Sequence, residues 1–150
     1  DIESRKILHV DEADFTNYWY GEYRELIHGK FKVSKDTKET LETVGIKEVQ
    51  YSDLDYNGHM NNTYYMDVLC NYIPELAAGT HRVCFVRVHY SKEAPLGDKL
   101  QILRSPVILL DDDQREIYGE KGERKYVFQT IKADGELNIQ GEFILCPVKR

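Results

Sequence analysis

Between Tyr51 and Pro74 the chain reads Tyr-Ser-Asp-Leu-Asp-Tyr-Asn-Gly-His-Met-Asn-Asn-Thr-Tyr-Tyr-Met-Asp-Val-Leu-Cys-Asn-Tyr-Ile-Pro. Asp53, Asp55, Asn57, His59, Asn61 and Asn62 are packed into ten residues, and an apolar segment follows. Polar side chains this dense are costly beside a buried segment unless they bind one another, a ligand or the start of a helix. At a helix start, unpaired backbone N–H groups and the positive end of the dipole can hold a developing oxyanion. An imidazole at position 59 can take or deliver a proton near neutral pH. Together these groups suit attack on a carbonyl.

Metal chemistry fits the residues less well. Asp53-Leu54-Asp55-Tyr56-Asn57-Gly58 matches the opening of a calcium-binding EF-hand loop, but position 12 of that loop needs a bidentate Glu and is Tyr64 here. His59 has no His or Cys at ligand spacing, and His81 and His89 fall on an expected strand, so no metal or other cofactor is called for. Each residue also has a purely structural reading. Asn57 could cap the helix, His59 could be a satisfied structural histidine, and Asn61 and Asn62 could hold the first turn. Tyr64, Tyr65 and Met66 could be core, a role that overlaps with lining a ligand pocket in a wrapped helix.

The 150 residues make about one domain, with enough length to bury a full core. The charged fraction of 31% and hydrophobic fraction of 41% are those of a soluble globular protein. A net charge of -6 offers no basic surplus for nucleic acid, and no apolar run reaches the roughly 20 residues of a membrane helix. The lysine run Lys30, Lys32, Lys35 and Lys38 reads as a solvated linker face. Cys70, Cys84 and Cys146 are odd in number and lie among apolar residues, which fits reduced core thiols in a reducing, cytoplasmic setting. The chain opens at Asp1 without Met or a leader, as a fragment would.

The elements that must position the polar cluster follow from periodicity. Phe15, Tyr18, Trp19, Tyr23, Leu26 and Ile27 predict a helix over 11–28, within a segment 1–44 whose end, 30–44, reads as an extended connection. A weak strand is expected from Gly45 to Asp53. After Gly58, Thr63, Asp67 and Asn71 form one narrow polar stripe on a helix otherwise apolar, which should be wrapped by other structure and ended by Pro74. Strands follow at Arg82–Tyr90, Asp98–Leu110 with a bend at Pro106, and Arg124–Lys132. The last strand, from Leu137, turns Leu137, Ile139, Phe143 and Leu145 to one face and Asn138, Gln140 and Glu142 to the other. Ala133-Asp134-Gly135-Glu136 supplies the hairpin turn before it. Asp111–Glu123 reads as an exposed loop with a short strand at Glu116–Tyr118. One helix wrapped by a curved antiparallel sheet is an α+β hotdog fold, expected over 45–150.

The run Asp53-Leu54-Asp55-Tyr56-Asn57-Gly58-His59-Met60-Asn61-Asn62 resembles the signature of acyl-acyl carrier protein thioesterases. In that family an Asp-Leu-Asp-x-Asn-x-His-x-Asn-Asn segment precedes the central helix of the second of two hotdog domains. Asp1-Ile2-Glu3-Ser4-Arg5-Lys6 also resembles the family's interdomain segment. The resemblance is close from Gln50 to about Pro95 and rests on strand pattern beyond. It implies a catalytic set of Asp55, Asn57, His59 and Glu93, the last within Tyr90-Ser91-Lys92-Glu93-Ala94. Ala94 stands where the family often has Cys, so the mechanism expected is attack by activated water. In that mechanism Glu93 is the general base, Asn57 and His59 orient water and thioester, and Asp55 orients or polarises one of them.

The resemblance further implies acyl carrier protein as partner and free fatty acid as product, and Asn61, Asn62 and Tyr65, beside the catalytic set in the sequence, are taken as substrate-binding candidates. It also implies a missing N-terminal hotdog domain, or a homodimer in its place. Two alternatives stay open: a thioesterase for acyl-coenzyme A, and a non-catalytic fragment or binding module whose polar turn only caps the helix.

Overall fold

The computed structural model describes residues 31–118 and 122–148. The helix expected over 11–28 lies outside them. Within 31–44 the connection is more structured than expected. Ser34 caps a short helix α1 (Lys35–Glu39) by accepting from the Thr37 amide at 3.2 Å, and strand β1 (Glu42–Glu48) starts earlier than the pattern suggests. Tyr51–Asp53 is a turn of 3-10 helix rather than the end of that strand.

The central helix α2 runs Asn62–Cys70 and ends before Pro74. Pro74 instead occupies the first turn of a second short helix, α3 (Pro74–Ala77), a position where its missing N–H costs nothing. Strands β2 (His81–Tyr90), β3 (Lys99–Arg104), β4 (Ile108–Leu109), β5 (Arg124–Ile131) and β6 (Leu137–Pro147) follow. Pro106 falls in the break between β3 and β4. Asp112–Tyr118 is a helix, α4, not a strand. Asp111 Oδ1 accepts from the Gln114 amide at 2.8 Å, and an Asp with Gln three residues on is a helix-start signature.

All pairings are antiparallel, in the order β1-β3-β5-β6-β2, with β4 also on β5. Leu69 and Tyr65 from α2, with Ile73 just beyond it, pack against Tyr126, Phe128, Ile139, Phe143 and Leu145 of the sheet. Phe128 and Phe143 meet edge to face at 5.3 Å, a favoured aromatic geometry. The sheet therefore curves around one helix, which is the hotdog fold. Among the described residues the wrapping is one-sided: Tyr64 is exposed, and Met66 and Val68 are only half-buried.

β6 departs from simple alternation. Gln140 and Glu142, on the second face, are buried too, satisfied by Gln129 and by Arg87 at 2.8 Å. At the start of the strand the β5/β6 register shifts, Thr130 facing Ile139 and Ile131 facing Leu137, so that Asn138 is the extra residue. A bulge of this kind re-aims a side chain, and Asn138 turns to the helix side.

Candidate active site

The segment from Asp53 to Asn61 is a closed turn. Leu54 bridges Met60, the Asp55 amide donates to the His59 carbonyl at 2.8 Å, and the Asn61 amide donates to the Asp53 carbonyl at 2.8 Å. Gly58 supplies the left-handed corner at φ 78. Asp55 Oδ1 accepts from the Asn57 amide at 2.8 Å and from the His59 amide at 3.3 Å, so one oxygen of this carboxylate is committed to holding the turn. Asp53 is committed as well: its Oδ2 lies 2.6 Å from Lys47 Nζ and accepts from the Gln50 amide at 2.7 Å. Burial opposes ionisation of Asp53, but these partners outweigh it and hold the carboxyl below its ordinary value.

The turn lies beside the end of β2. His59 bridges Pro95, and the Met60 amide donates to the Ala94 carbonyl at 2.8 Å. This brings His59 Nε2 to 3.2 Å from Glu93 Oε2. Asp55, Asn57, His59 and Glu93 line one cleft of about 310 Å³ with Asn62, Tyr65, Tyr90 and Lys92 among its other walls. Asn57 and Glu93 are exposed, whereas Asp55 and His59 are half-buried. The structure thus gathers all four of the residues named by the resemblance, together with two of the three substrate-binding candidates. Asn61 is instead the N-cap of α2, its Oδ1 accepting from the Thr63 amide at 3.0 Å, so the cap that the sequence offers to Asn57 falls to Asn61. The Tyr64 amide donates to the Asn61 carbonyl, so two amides of the helix start are already engaged.

The Glu93 segment is pinned from the other side by residues that the sequence pattern does not single out. The Ser91 and Lys92 amides donate to the Asn138 carbonyl at 2.9 and 3.1 Å. Asn138 Nδ2 donates to the Lys92 carbonyl at 2.6 Å and to the Tyr65 hydroxyl at 3.1 Å, while its Oδ1 accepts from Thr130 at 2.7 Å. Lys132 Nζ, paired with Asp98 at 2.9 Å, donates to the Glu93 carbonyl at 3.1 Å. In the sequence Asn138 is one polar residue between Leu137 and Ile139, the mark of ordinary strand alternation. Only the register shift reveals its reach.

No thiol among the described residues is poised to act. Ala94 is buried beside the cleft residues. Partial desolvation of the sulfur, with Cys146 alongside, pushes the Cys84 thiol up to about 11 although the residue as a whole is exposed, and burial raises Cys70. Cys84 departs from the expectation of a core residue, since it is exposed on β2, although its Sγ donates to the Ile144 carbonyl at 3.4 Å.

A helix wrapped by an antiparallel sheet places the chain in the hotdog class of folds, and an imidazole, two carboxylates and an amide gather at the entrance to that helix. Within that class, the family profile of the acyl-ACP thioesterase C-terminal domain matches residues 34–142, and the chain belongs to this family. Among solved structures, an acyl-ACP thioesterase from Bacteroides thetaiotaomicron superposes with a TM-score of 0.65 at 19% identity. The match covers 97% of this chain and 52% of that one, so the chain spans about half the length of that relative. The hypothetical protein SAV2348 from Staphylococcus aureus, in complex with CoA, gives 0.55 at 17% identity over 72% of this chain and 70% of that one. A 1,4-dihydroxy-2-naphthoyl-CoA thioesterase from Synechocystis gives 0.53 at 9% identity, over 69% and 80%. No curated protein matched. These likenesses at low identity speak to the fold.

Proposed function

We propose that the chain is the catalytic-residue-bearing hotdog domain of an enzyme that hydrolyses acyl-acyl carrier protein thioesters to free fatty acids. The observation that carries this reading is the 3.2 Å approach of His59 Nε2 to Glu93 Oε2 at a cleft also lined by Asp55 and Asn57. Water held by His59 and Asn57 gives a proton to the Glu93 carboxylate as its oxygen bonds to the thioester carbon. The carbonyl pair moves onto oxygen, facing the positive end of α2. Collapse breaks the C–S bond, and the proton passes to the leaving thiolate, giving carboxylic acid and thiol. Asp55 orients this set through the two amides it holds.

Two further parts of the reading are architectural. β2 pairs with β6 on one side and, among the described residues, with no strand on the other. A ten-residue open edge of this kind calls for a partner, and an N-terminal hotdog preceding the segment 1–44, or a second copy, supplies it. The described cysteines are free thiols, which suits the cytoplasm. Among the described residues no helix is long and apolar enough to cross a membrane.

A second reading, hydrolysis of acyl-coenzyme A, draws on the CoA complex and the 1,4-dihydroxy-2-naphthoyl-CoA thioesterase of the same fold. Steady-state thiol release from matched acyl-acyl carrier protein and acyl-coenzyme A substrates separates the two. A higher kcat/KM on the carrier protein is expected. The reverse order favours coenzyme A. Acyl binding without hydrolysis, unchanged by His59→Ala, returns the chain to a binding module.

A further inference from the structure

We propose that the Tyr65 hydroxyl donates a hydrogen bond to the thioester carbonyl oxygen in the cleft, and that Asn138 is the positioning residue that fixes it as a donor. This rests on the thioesterase reading above.

The direction of one chain of hydrogen bonds assigns these roles. The Lys92 carbonyl can only accept, so the Asn138 atom 2.6 Å from it must be the amide nitrogen. Asn138 Oδ1 then faces the Thr130 hydroxyl, which donates to it at 2.7 Å. The same amide nitrogen lies 3.1 Å from the Tyr65 oxygen, and with no acceptor capacity of its own it must donate there. Tyr65 therefore accepts from Asn138, and its own proton has to go elsewhere. Among the described residues it has no other hydrogen-bond partner.

Tyr65 is nearly inaccessible, at 3% exposure, and lines the cleft. The cleft is therefore the side on which this proton finds its acceptor, and the substrate carbonyl is an acceptor that enters this space. The chain from Thr130 through Asn138 to Tyr65 points one way, so each bond polarises the next and strengthens the final donor. The Thr63 and Tyr64 amides at the helix start are already engaged, which makes a side-chain donor at this wall the more needed. Asn138 reaches Tyr65 only because of the β5/β6 register shift, and such bulges re-aim side chains next to active sites.

The test compares two non-hydrolysable analogues of one acyl-phosphopantetheine, presented on coenzyme A and on acyl carrier protein. A ketone keeps the carbonyl, and an S-alkyl thioether lacks it. With the 150-residue chain, Tyr65→Phe is expected to weaken ketone binding about tenfold and leave thioether binding within about twofold. Asn138→Ala is expected to give the same selective loss. The double variant should be no weaker for the ketone than the worse single one, as for two residues acting through one bond. If Asn138→Ala does not fold, the Tyr65→Phe comparison decides alone, because it keeps the ring in the core. Equal losses for both analogues, or none for either, overturn the proposal while leaving the thioesterase reading in place. Wild-type chain that binds neither analogue on either carrier overturns both.

Discussion

His59 and Glu93 come from opposite sides of α2 in the sequence, yet Nε2 of one lies 3.2 Å from Oε2 of the other. Neither is held by their mutual contact alone. His59 sits in a turn closed by Asp55, and Glu93 follows a strand whose end is tied to Asn138 and Lys132. The pair is half in solvent, Glu93 with 67% of its side chain exposed, so its own attraction adds little to stability. Its geometry is maintained by the backbone around it.

That division of labour separates Asp55 from Glu93 by experiment. Asp55→Asn is expected to lower hydrolysis by about 10- to 100-fold, through a loosened turn, with KM rising as kcat falls. Steady-state kinetics over substrate concentrations from below to above KM check this. If Asp55→Asn abolished turnover while Glu93→Gln kept it, Asp55 would be the base.

Water attack without a thiol intermediate gives a second prediction. Cys84→Ser should retain hydrolysis within about twofold. Alkylation of Cys84 should be slow at neutral pH, because a thiol held up to about 11 is almost wholly protonated. Mass spectrometry after iodoacetamide treatment reads this directly.

Acid should unfold the chain through its paired carboxylates. Asp53, Glu75 and Glu123 are each held below their ordinary values: burial opposes the shift at Asp53 and Glu75, but Lys47, Arg124 and Tyr126 outweigh it, and at Glu123 the bond to His81 leads. A folded-state value below the unfolded one contributes stability that is present above the unfolded value and is lost as pH falls through the folded one. Urea midpoints should therefore hold on the neutral side and decline below the ordinary carboxylate values of 3.8 and 4.5. Glu75→Gln should lower the neutral midpoint and flatten that decline. An unchanged slope would remove Glu75 from this account.

Gly141 tests the packing of β6 on β2. A Cβ there would lie 2.9 Å from the Arg87 carbonyl oxygen, a backbone atom with no freedom to swing away. Gly141→Ala is expected to cost about 1–3 kcal/mol, read as a fall in urea midpoint at constant slope.

What the sequence shows and what it hides differ by physical cause. The polar turn is legible because six hydrogen-bonding side chains in ten residues must find partners close by, and Gly58 marks its corner. The hairpin at Asp134-Gly135 is equally local, and Gly135 adopts φ 84 there. The α4 helix is hidden by its charge: Asp111 and Gln114 cap it, but no apolar stripe announces it. Pro74 reads as an end and is a beginning, since proline suits both places. Asn138 is hidden most deeply, because its role depends on a register shift between two strands, and no single strand's pattern carries that.

Glu93, beside His59, is the group proposed to activate water on a thioester. Thiol release from acyl-acyl carrier protein and acyl-coenzyme A by wild type and by Glu93→Gln, with matched melting temperatures, tests it most directly. Wild type is predicted to turn over at least one carrier, and Glu93→Gln to lose about 100-fold or more in kcat with little change in KM. Glu93→Gln turning over at the wild-type rate would contradict the claim.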